Sequence, residues 1–336
     1  MTEDSDFLPH QAARSSARRL VFVAFEGADP LDLTGPLGVF TRAERQRPGS
    51  YDILVASTQG LPLRTSSPLW LCGVQPLSEV TGDIDTLVVV GGEEQAIRRA
   101  AYDEGLVRWL RECAPRARRV CSICTGAFIL GAAGLLDGRQ VTTHWAATEA
   151  LQSYFPKAAV DTDALYRTDG RLWTSAGVTT GIDLALALVQ ADLGRTVAND
   201  IARDLVVFVH RCGEQRQVSS TLRAQAAGTG LFDQLLVWML DHPQEDLRVP
   251  ALAERAAMSP RNFARRFLRE TGKTPARYVL EMRLDHACRH LEQTSWPMER
   301  VAQHSGLGTS EALHRVFRQQ LGMTPGMYRH RLRTIA

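Results

Sequence analysis

Cys124, Asp32 and His144 are the residues of this chain whose types could do covalent or proton-transfer chemistry. The stretch VCSICTGAF, residues 120 to 128, approaches Cys124 through apolar positions and then opens a helical run at Thr125-Gly126-Ala127. A thiol placed where a strand turns into a helix faces unpaired N–H groups and the positive end of the helix dipole, so its pKa is expected to fall. With a carboxylate and an imidazole on neighbouring strand ends it could form a relay set for hydration or hydrolysis of a small molecule. Three uses stay open: a Cys-dependent amidase or hydratase, a thiol redox sensor, or the floor of a pocket that binds without turnover. The Cys121-x-x-Cys124 spacing does not read as a redox couple, because Cys121 falls inside the preceding strand and points away from the turn. No second cysteine pair or histidine cluster has zinc-ligand spacing, and no Walker or dinucleotide glycine motif is present. Neither a metal nor a cofactor is expected.

The elements that must position these residues alternate in type. Apolar strand candidates at 19 to 25, 51 to 57, 85 to 92 and 118 to 124 are separated by helical stretches such as GPLGVFTRAERQ and DEGLVRWLRECA. Strands apolar on both faces that alternate with helices predict a flavodoxin-like, doubly wound α/β domain with a mostly parallel sheet. Ligands of such folds sit at the carboxyl ends of the strands. Asp32, Gly91, Gly92 and Cys124 all follow strand ends, and with Thr125 and His144 they are the expected ligand pocket.

A chain of 336 residues exceeds the usual size of one hydrophobic core, so two domains are expected. No stretch approaches the roughly 18 apolar residues of a membrane helix, and the first 17 residues read as a disordered tail without a secretory apolar segment. Six cysteines spread over so long a chain argue for reduced thiols and a cytoplasmic location. Charge is uneven: residues 241 to 336 hold 16 Arg and Lys against 10 Asp and Glu, while the first 240 hold 23 against 27. A polyanion would therefore meet the C-terminal end.

That end is a repeat. SPRNFARRFLRETGKTPARY (259 to 278) aligns with TSEALHRVFRQQLGMTPGMY (309 to 328), matching Phe267 to Phe317, Arg265 to Arg315, Gly272 to Gly322 and Tyr278 to Tyr328. Each copy has a short amphipathic helix, a tight break and a longer helix begun by Ser259 or Thr309 and ended by glycine, which is helix-turn-helix grammar in an all-α domain. Phe263 with Phe267, and Leu313 with Phe317, are predicted to face inward. Arg261, Asn262, Arg265, Glu311, His314 and Arg315 then become candidates for base contacts on double-stranded DNA, and Arg318 for phosphate, since the arginine fork suits guanine edges.

VAQHSGLGTSEALHRVFRQQLGMTPGMYR closely resembles the signature of AraC/XylS transcription regulators, which implies two reading units joined by a long helix near 275 to 293, with Arg283 at a position where arginine is common. Leu307 stands where that family usually has Phe. The cysteine turn, VVVGG, TTHW and LWTSAGVTTGIDLALALV resemble the PfpI/ThiJ superfamily, related to class I glutamine amidotransferases. Its protease-type members follow the cysteine with histidine, whereas this chain has Thr125, so peptidase activity is disfavoured. Isonitrile hydratases of the superfamily do carry a CTGA turn and a nearby aspartate. The combination resembles GlxA-type regulators, including AdpA-like proteins. It implies a ligand-sensing, dimerising domain over 18 to 209, a linker over 210 to 230 with a weakened Cys212-Gly213-Glu214-Gln215 motif, and a DNA-binding domain over 231 to 333. The expectation is a homodimeric DNA-binding regulator with a small-molecule effector and no catalysis committed at Cys124.

Overall fold

The computed structural model describes residues 17–207, Gly213, Gln217 and 232–334. The first 16 residues and nearly all of the linker expected over 210 to 230, Cys212 included, lie outside the described residues. The chain divides into two compact units, Met1–Thr162 with Tyr166–His210, and Asp163–Leu165 with Arg211–Ala336.

In the first unit, β1 (Arg18–Val23), α1 (Pro30–Gln46) and β2 (Tyr51–Ser57) form a βαβ start with the two strands parallel. Three two-residue strands follow, β3 (Leu63–Arg64), β4 (Trp70–Leu71) and β5 (Gln75–Pro76), with β3 and β4 paired antiparallel. Then come β6 (Thr86–Val89), α2 (Glu94–Tyr102), α3 (Glu104–Cys113), β7 (Arg119–Ile123) and α4 (Gly126–Ala132). A parallel pair, β8 (Gln140–Thr142) with β9 (Ala159–Asp161), flanks α5 (Thr148–Tyr154). The unit closes with β10 (Tyr166–Asp169), β11 (Leu172–Ser175), α6 (Thr180–Leu193) and α7 (Arg195–Asp204).

The main sheet has the order β10-β11-β7-β6-β1-β2-β5, parallel throughout except for β10. This is the doubly wound α/β fold read from the alternation of elements. Of the four strand candidates, 51 to 57 reappears unchanged, 19 to 25 is shifted to Arg18–Val23, and 85 to 92 and 118 to 124 are trimmed by one to three residues at their ends. Leu20, Val21, Phe22 and Val23 are fully buried, as are Leu87 and Val89, because helices cover both faces of these central strands. Winding reverses between β1 and β6: the chain leaves β1 toward β2 and later returns on its other side. The carboxyl ends of β1, β6 and β7 thus open onto the switch point of the sheet.

The second unit is helical: α8 (Asp233–Asp241), α9 (Val249–Arg255), α10 (Pro260–Thr271), α11 (Pro275–Gln293), α12 (Met298–His304), α13 (Ser310–Leu321) and α14 (Pro325–Thr334). It holds two separate cores. One gathers Phe232, Leu236, Met239, Leu252, Phe263, Phe267, Tyr278 and Met282; the other gathers Leu284, Leu291, Val301, Leu313, Phe317 and Tyr328. The sequence repeat is a repeat of packing. Phe267 meets Tyr278 at 5.5 Å and 85°, and Phe317 meets Tyr328 at 5.5 Å and 79°. Gly272 (φ +70°) and Gly322 (φ +66°) end α10 and α13 in the left-handed conformation, where a side chain would be strained. Thr309 accepts the Ala312 N–H as a helix cap, but Ser259, at the matching position, makes no side-chain cap bond.

The copies differ in their breaks. Ala257 (φ +52°) and Gly306 (φ +75°) hold equivalent left-handed positions, and the second break then carries one residue more, Gly308 (φ +85°). Leu307 is partly buried against the second core, so the leucine fills its site.

Candidate functional site

At the switch point the residues converge from three strand ends. Asp32 is not on a strand end itself: it lies in the first turn of α1, whose N-cap Asp29 accepts the N–H groups of Leu31 and Asp32. Its carboxyl is fully buried, with Oδ1 accepting the Val178 N–H at 2.7 Å. Gly91, just beyond β6, permits this approach. A Cβ there would stand 2.5 Å from Asp32 Oδ2 and 2.7 Å from the Cys124 Cβ. Gly177 (φ +84°) closes the other side, where a Cβ would stand 2.1 Å from the Cys124 Cβ.

Cys124 and Val178 themselves have φ of +53° and +52°. Side chains other than glycine are strained there, and most of all a β-branched one, so the pair is a local store of strain gathered on one carboxyl. The Cys124 turn is pinned by its N–H to the Ser175 carbonyl at 3.0 Å and by the Thr143 hydroxyl donating to the Cys124 carbonyl at 2.8 Å.

The electrostatics reverse one expectation. Burial pushes the Cys124 thiol well above the ordinary thiol range, and the neighbouring Asp32 charge pushes it the same way; the Thr125 N–H at the helix start acts oppositely but is outweighed. Burial also raises Asp32, to about 6, against the bonds from Val178, Cys124 and Gly91 that favour its ionised form. At neutral pH the site is a carboxylate facing a protonated thiol. Cys121 is fully buried in β7 and raised to about 12, mainly by burial, as its strand position implied.

His144 does not complete a relay set. Its Nδ1 accepts the Ala146 N–H at 3.4 Å and its ring lies against Trp145, while burial lowers its pKa. Among the described residues no histidine bonds to Cys124 or Asp32. The Gly92 backbone is engaged too: the Thr125 hydroxyl accepts the Gly92 N–H at 3.0 Å and donates to the Gly92 carbonyl at 2.8 Å. Thr125 and His144 instead line a cavity of about 560 Å³ between α2, α4 and α5, walled by Ile97, Phe128, Tyr154 and Phe155. Sequence reasoning missed this cavity, because its walls are ordinary apolar helix positions. Among the described residues no group of three or more His, Cys, Asp or Glu is placed to hold a metal ion.

In the helical unit Phe263, Phe267, Leu313 and Phe317 are fully buried, so the opposite faces of α10 and α13 look outward. Arg261, Arg265, Glu311, Arg315 and Arg318 are exposed, and Asn262 and His314 half-buried. Asn262 Oδ1 accepts from Arg265 at 3.3 Å, which orients that guanidinium along the helix. On α13, Ser310, Glu311, His314, Arg315 and Arg318 surround one shallow hollow. The two second helices thus each turn arginines outward from a packed core of their own.

Residues 18–191 match the DJ-1/PfpI family, and residues 252–331 match a helix-turn-helix domain. The chain belongs to the DJ-1/PfpI family. The chain is similar to the HTH-type transcriptional regulator CdhR of Pseudomonas aeruginosa, at 30% identity over 85% of this chain and 84% of the relative. It also resembles the HTH-type transcriptional regulator GlxA of Rhizobium meliloti, at 28% identity over 66% of this chain and 68% of the relative. An isonitrile hydratase of Pseudomonas putida is 34% identical over 53% of this chain and 73% of that enzyme. Among solved structures, a ThiJ/PfpI family protein from Pseudomonas syringae superposes with a TM-score of 0.54 at 23% identity, covering 70% of this chain and 95% of that one, which shows the fold. This DJ-1/PfpI chain is a DNA-binding transcriptional regulator. Among its described residues no helix is long and apolar enough to cross a membrane.

Proposed function

We propose that α10 and α13 read successive major-groove faces of one DNA site, and that the DJ-1/PfpI domain modulates this by binding a small molecule without turning it over. The observation that carries the DNA reading is the duplicated core: matching edge-on Phe–Tyr packing holds both second helices with their arginines outward. Arg261, Asn262, Arg265, Glu311, His314 and Arg315 contact bases, and Arg318 phosphate. Selecting bound genomic fragments with the full chain at two salt concentrations tests it. A recurrent motif with two short elements about one helical turn apart, kept at the higher salt, supports two-headed readout. Binding that is uniform in sequence and erased by salt refutes it.

The effector reading rests on the protonated thiol and on backbone donors already engaged within the protein. The effector would occupy the cavity walled by Phe128, Tyr154 and Phe155, entering beside Thr125 and His144. Ala150→Trp, placed on that wall, should abolish effector-dependent changes in DNA binding while leaving basal binding intact. The domain also serves as the homodimer contact in this reading: Leu69 and Trp70 on the β3–β4 hairpin are 60% and 61% exposed, with Leu61 beside them in sequence at 58%. Trp70→Glu should then convert dimer to monomer in sedimentation.

A second reading is favoured by the Asp32–Cys124–Thr125 cluster together with the likeness to an isonitrile hydratase: thiol-dependent hydration of a small nitrile-like substrate. Turnover that disappears in Cys124→Ala would establish it and overturn the non-catalytic reading.

A further inference from the structure

The two cores of the helical unit meet on one helix, and the change of ownership along α11 is abrupt. Tyr278, Val279 and Met282 belong to the first core; Leu284, Ala287, Cys288 and Leu291 belong to the second. Arg283 stands at the seam. Its Nε donates to the Pro243 carbonyl at 2.8 Å and its Nη2 to the Glu245 carbonyl at 2.9 Å, both on the loop that leads into α9 of the first reading unit. That loop is fixed to the first core by Leu247, which is 5% exposed.

The second reading unit touches the same point. A Cβ on Gly306, in the break between α12 and α13, would stand 1.8 Å from the Pro243 carbonyl oxygen and 2.7 Å from Arg283 Nε. The break of the second unit therefore lies directly on the loop of the first, with the guanidinium wedged beside both. Burial lowers the Arg283 pKa from the ordinary guanidinium range, and the nearby Asp246 charge opposes this only in part. This contact ties the two reading units together beside the helix they share, α11.

We infer that Arg283, with Gly306, is the positioning element that fixes the separation and angle of the two reading helices, and hence the spacing of the DNA elements they accept. Arg283 touches no base in this account; it acts through Pro243, Glu245 and the Gly306 turn. The inference rests on the two-headed reading above. A rigid pair of heads gains from its second contact only where the spacing matches, and a loosened pair gains less at the best spacing but tolerates others.

The test uses the full chain and duplexes bearing the motif recovered by fragment selection, remade with the spacer unchanged, changed by one base pair, or changed by half a helical turn, plus a duplex with one element alone. Wild type should lose about tenfold in affinity for a one-base-pair change, and Arg283→Ala should show a ratio nearer twofold, with weaker binding at the native spacing and unaltered binding to the single element. An Arg283→Ala protein that keeps the wild-type spacing ratio overturns the inference. So does one that loses single-element binding in step with the rest, since that describes a fold defect and not a positioning one. If Arg283→Ala fails to fold, Arg283→Lys decides by the same ratio, because a point charge cannot hold both carbonyls as the fork does. Wild type indifferent to spacing would refute the two-headed reading itself, an outcome distinct from either result on the variant.

Discussion

Asp32→Asn should make the protein more stable at neutral pH. Burial raises the Asp32 pKa from an ordinary 3.8 to about 6, so folding favours the protonated carboxyl. The contribution of that preference is fully present below pH 3.8 and is lost as pH rises through about 6. Above that, the native state carries a buried carboxylate. The two values differ by about two on the pH scale, and each pH unit is worth roughly 1.4 kcal/mol, so the penalty at pH 7 to 8 is about 3 kcal/mol. Asparagine keeps an oxygen to accept the Val178 N–H and removes the charge. Urea unfolding of wild type and variant, followed by far-ultraviolet circular dichroism at pH 4, 5, 6, 7 and 8, measures the difference. The variant should match wild type near pH 4 and exceed it progressively to about 3 kcal/mol by pH 8. A difference that does not change with pH, or a variant less stable than wild type at pH 8, would refute the reasoning that desolvation governs this carboxyl.

Alkylation by iodoacetamide at pH 7.5, mapped by mass spectrometry, should modify exposed Cys72 far sooner than Cys124, whose thiol is held protonated; equal rates would show a thiolate at the turn. Ala257→Gly should raise the stability of the helical unit by about 0.5 to 1 kcal/mol, because alanine there occupies a left-handed conformation that glycine adopts without strain. A lower denaturation midpoint would count against it. Arg265→Ala should cost about 1 to 3 kcal/mol in affinity for the selected DNA motif and relax preference at one base pair, whereas Arg318→Ala should weaken all sequences alike and reduce the salt slope by about one. Gel-shift titration against single-base variants separates the two, and indistinguishable profiles would reject the division of roles.

The repeat was the most legible part of the chain because caps, breaks and inward aromatics are set by local rules and occur twice. The bounds read for the connecting helix, 275 to 293, coincide with those of α11. The central strands were legible for a similar reason: they are buried on both faces and therefore continuously apolar. Two-residue strands β3, β4 and β5 carry too short a pattern to announce themselves. Around Cys124 the sequence identified the gathering residues but not the sign of the chemistry. Whether a helix N-terminus or desolvation controls a thiol depends on how closely Gly91, Gly177 and Asp32 enclose it, and those come from distant parts of the chain. His144 misled because spacing along the chain says nothing about which way its ring turns. Nor could Arg283 be assigned an action from sequence, since its partners are backbone carbonyls some forty residues away.

The extra residue Gly308 makes the two breaks unequal, so the halves of the helical unit are related in sequence without being interchangeable in space. A reader built of two unlike heads in fixed order along one helix has a front and a back. Its recognition site has a polarity, like a word that spells something else when reversed. On the two-headed reading, inverting such a site reverses the order in which the two unlike heads meet the duplex.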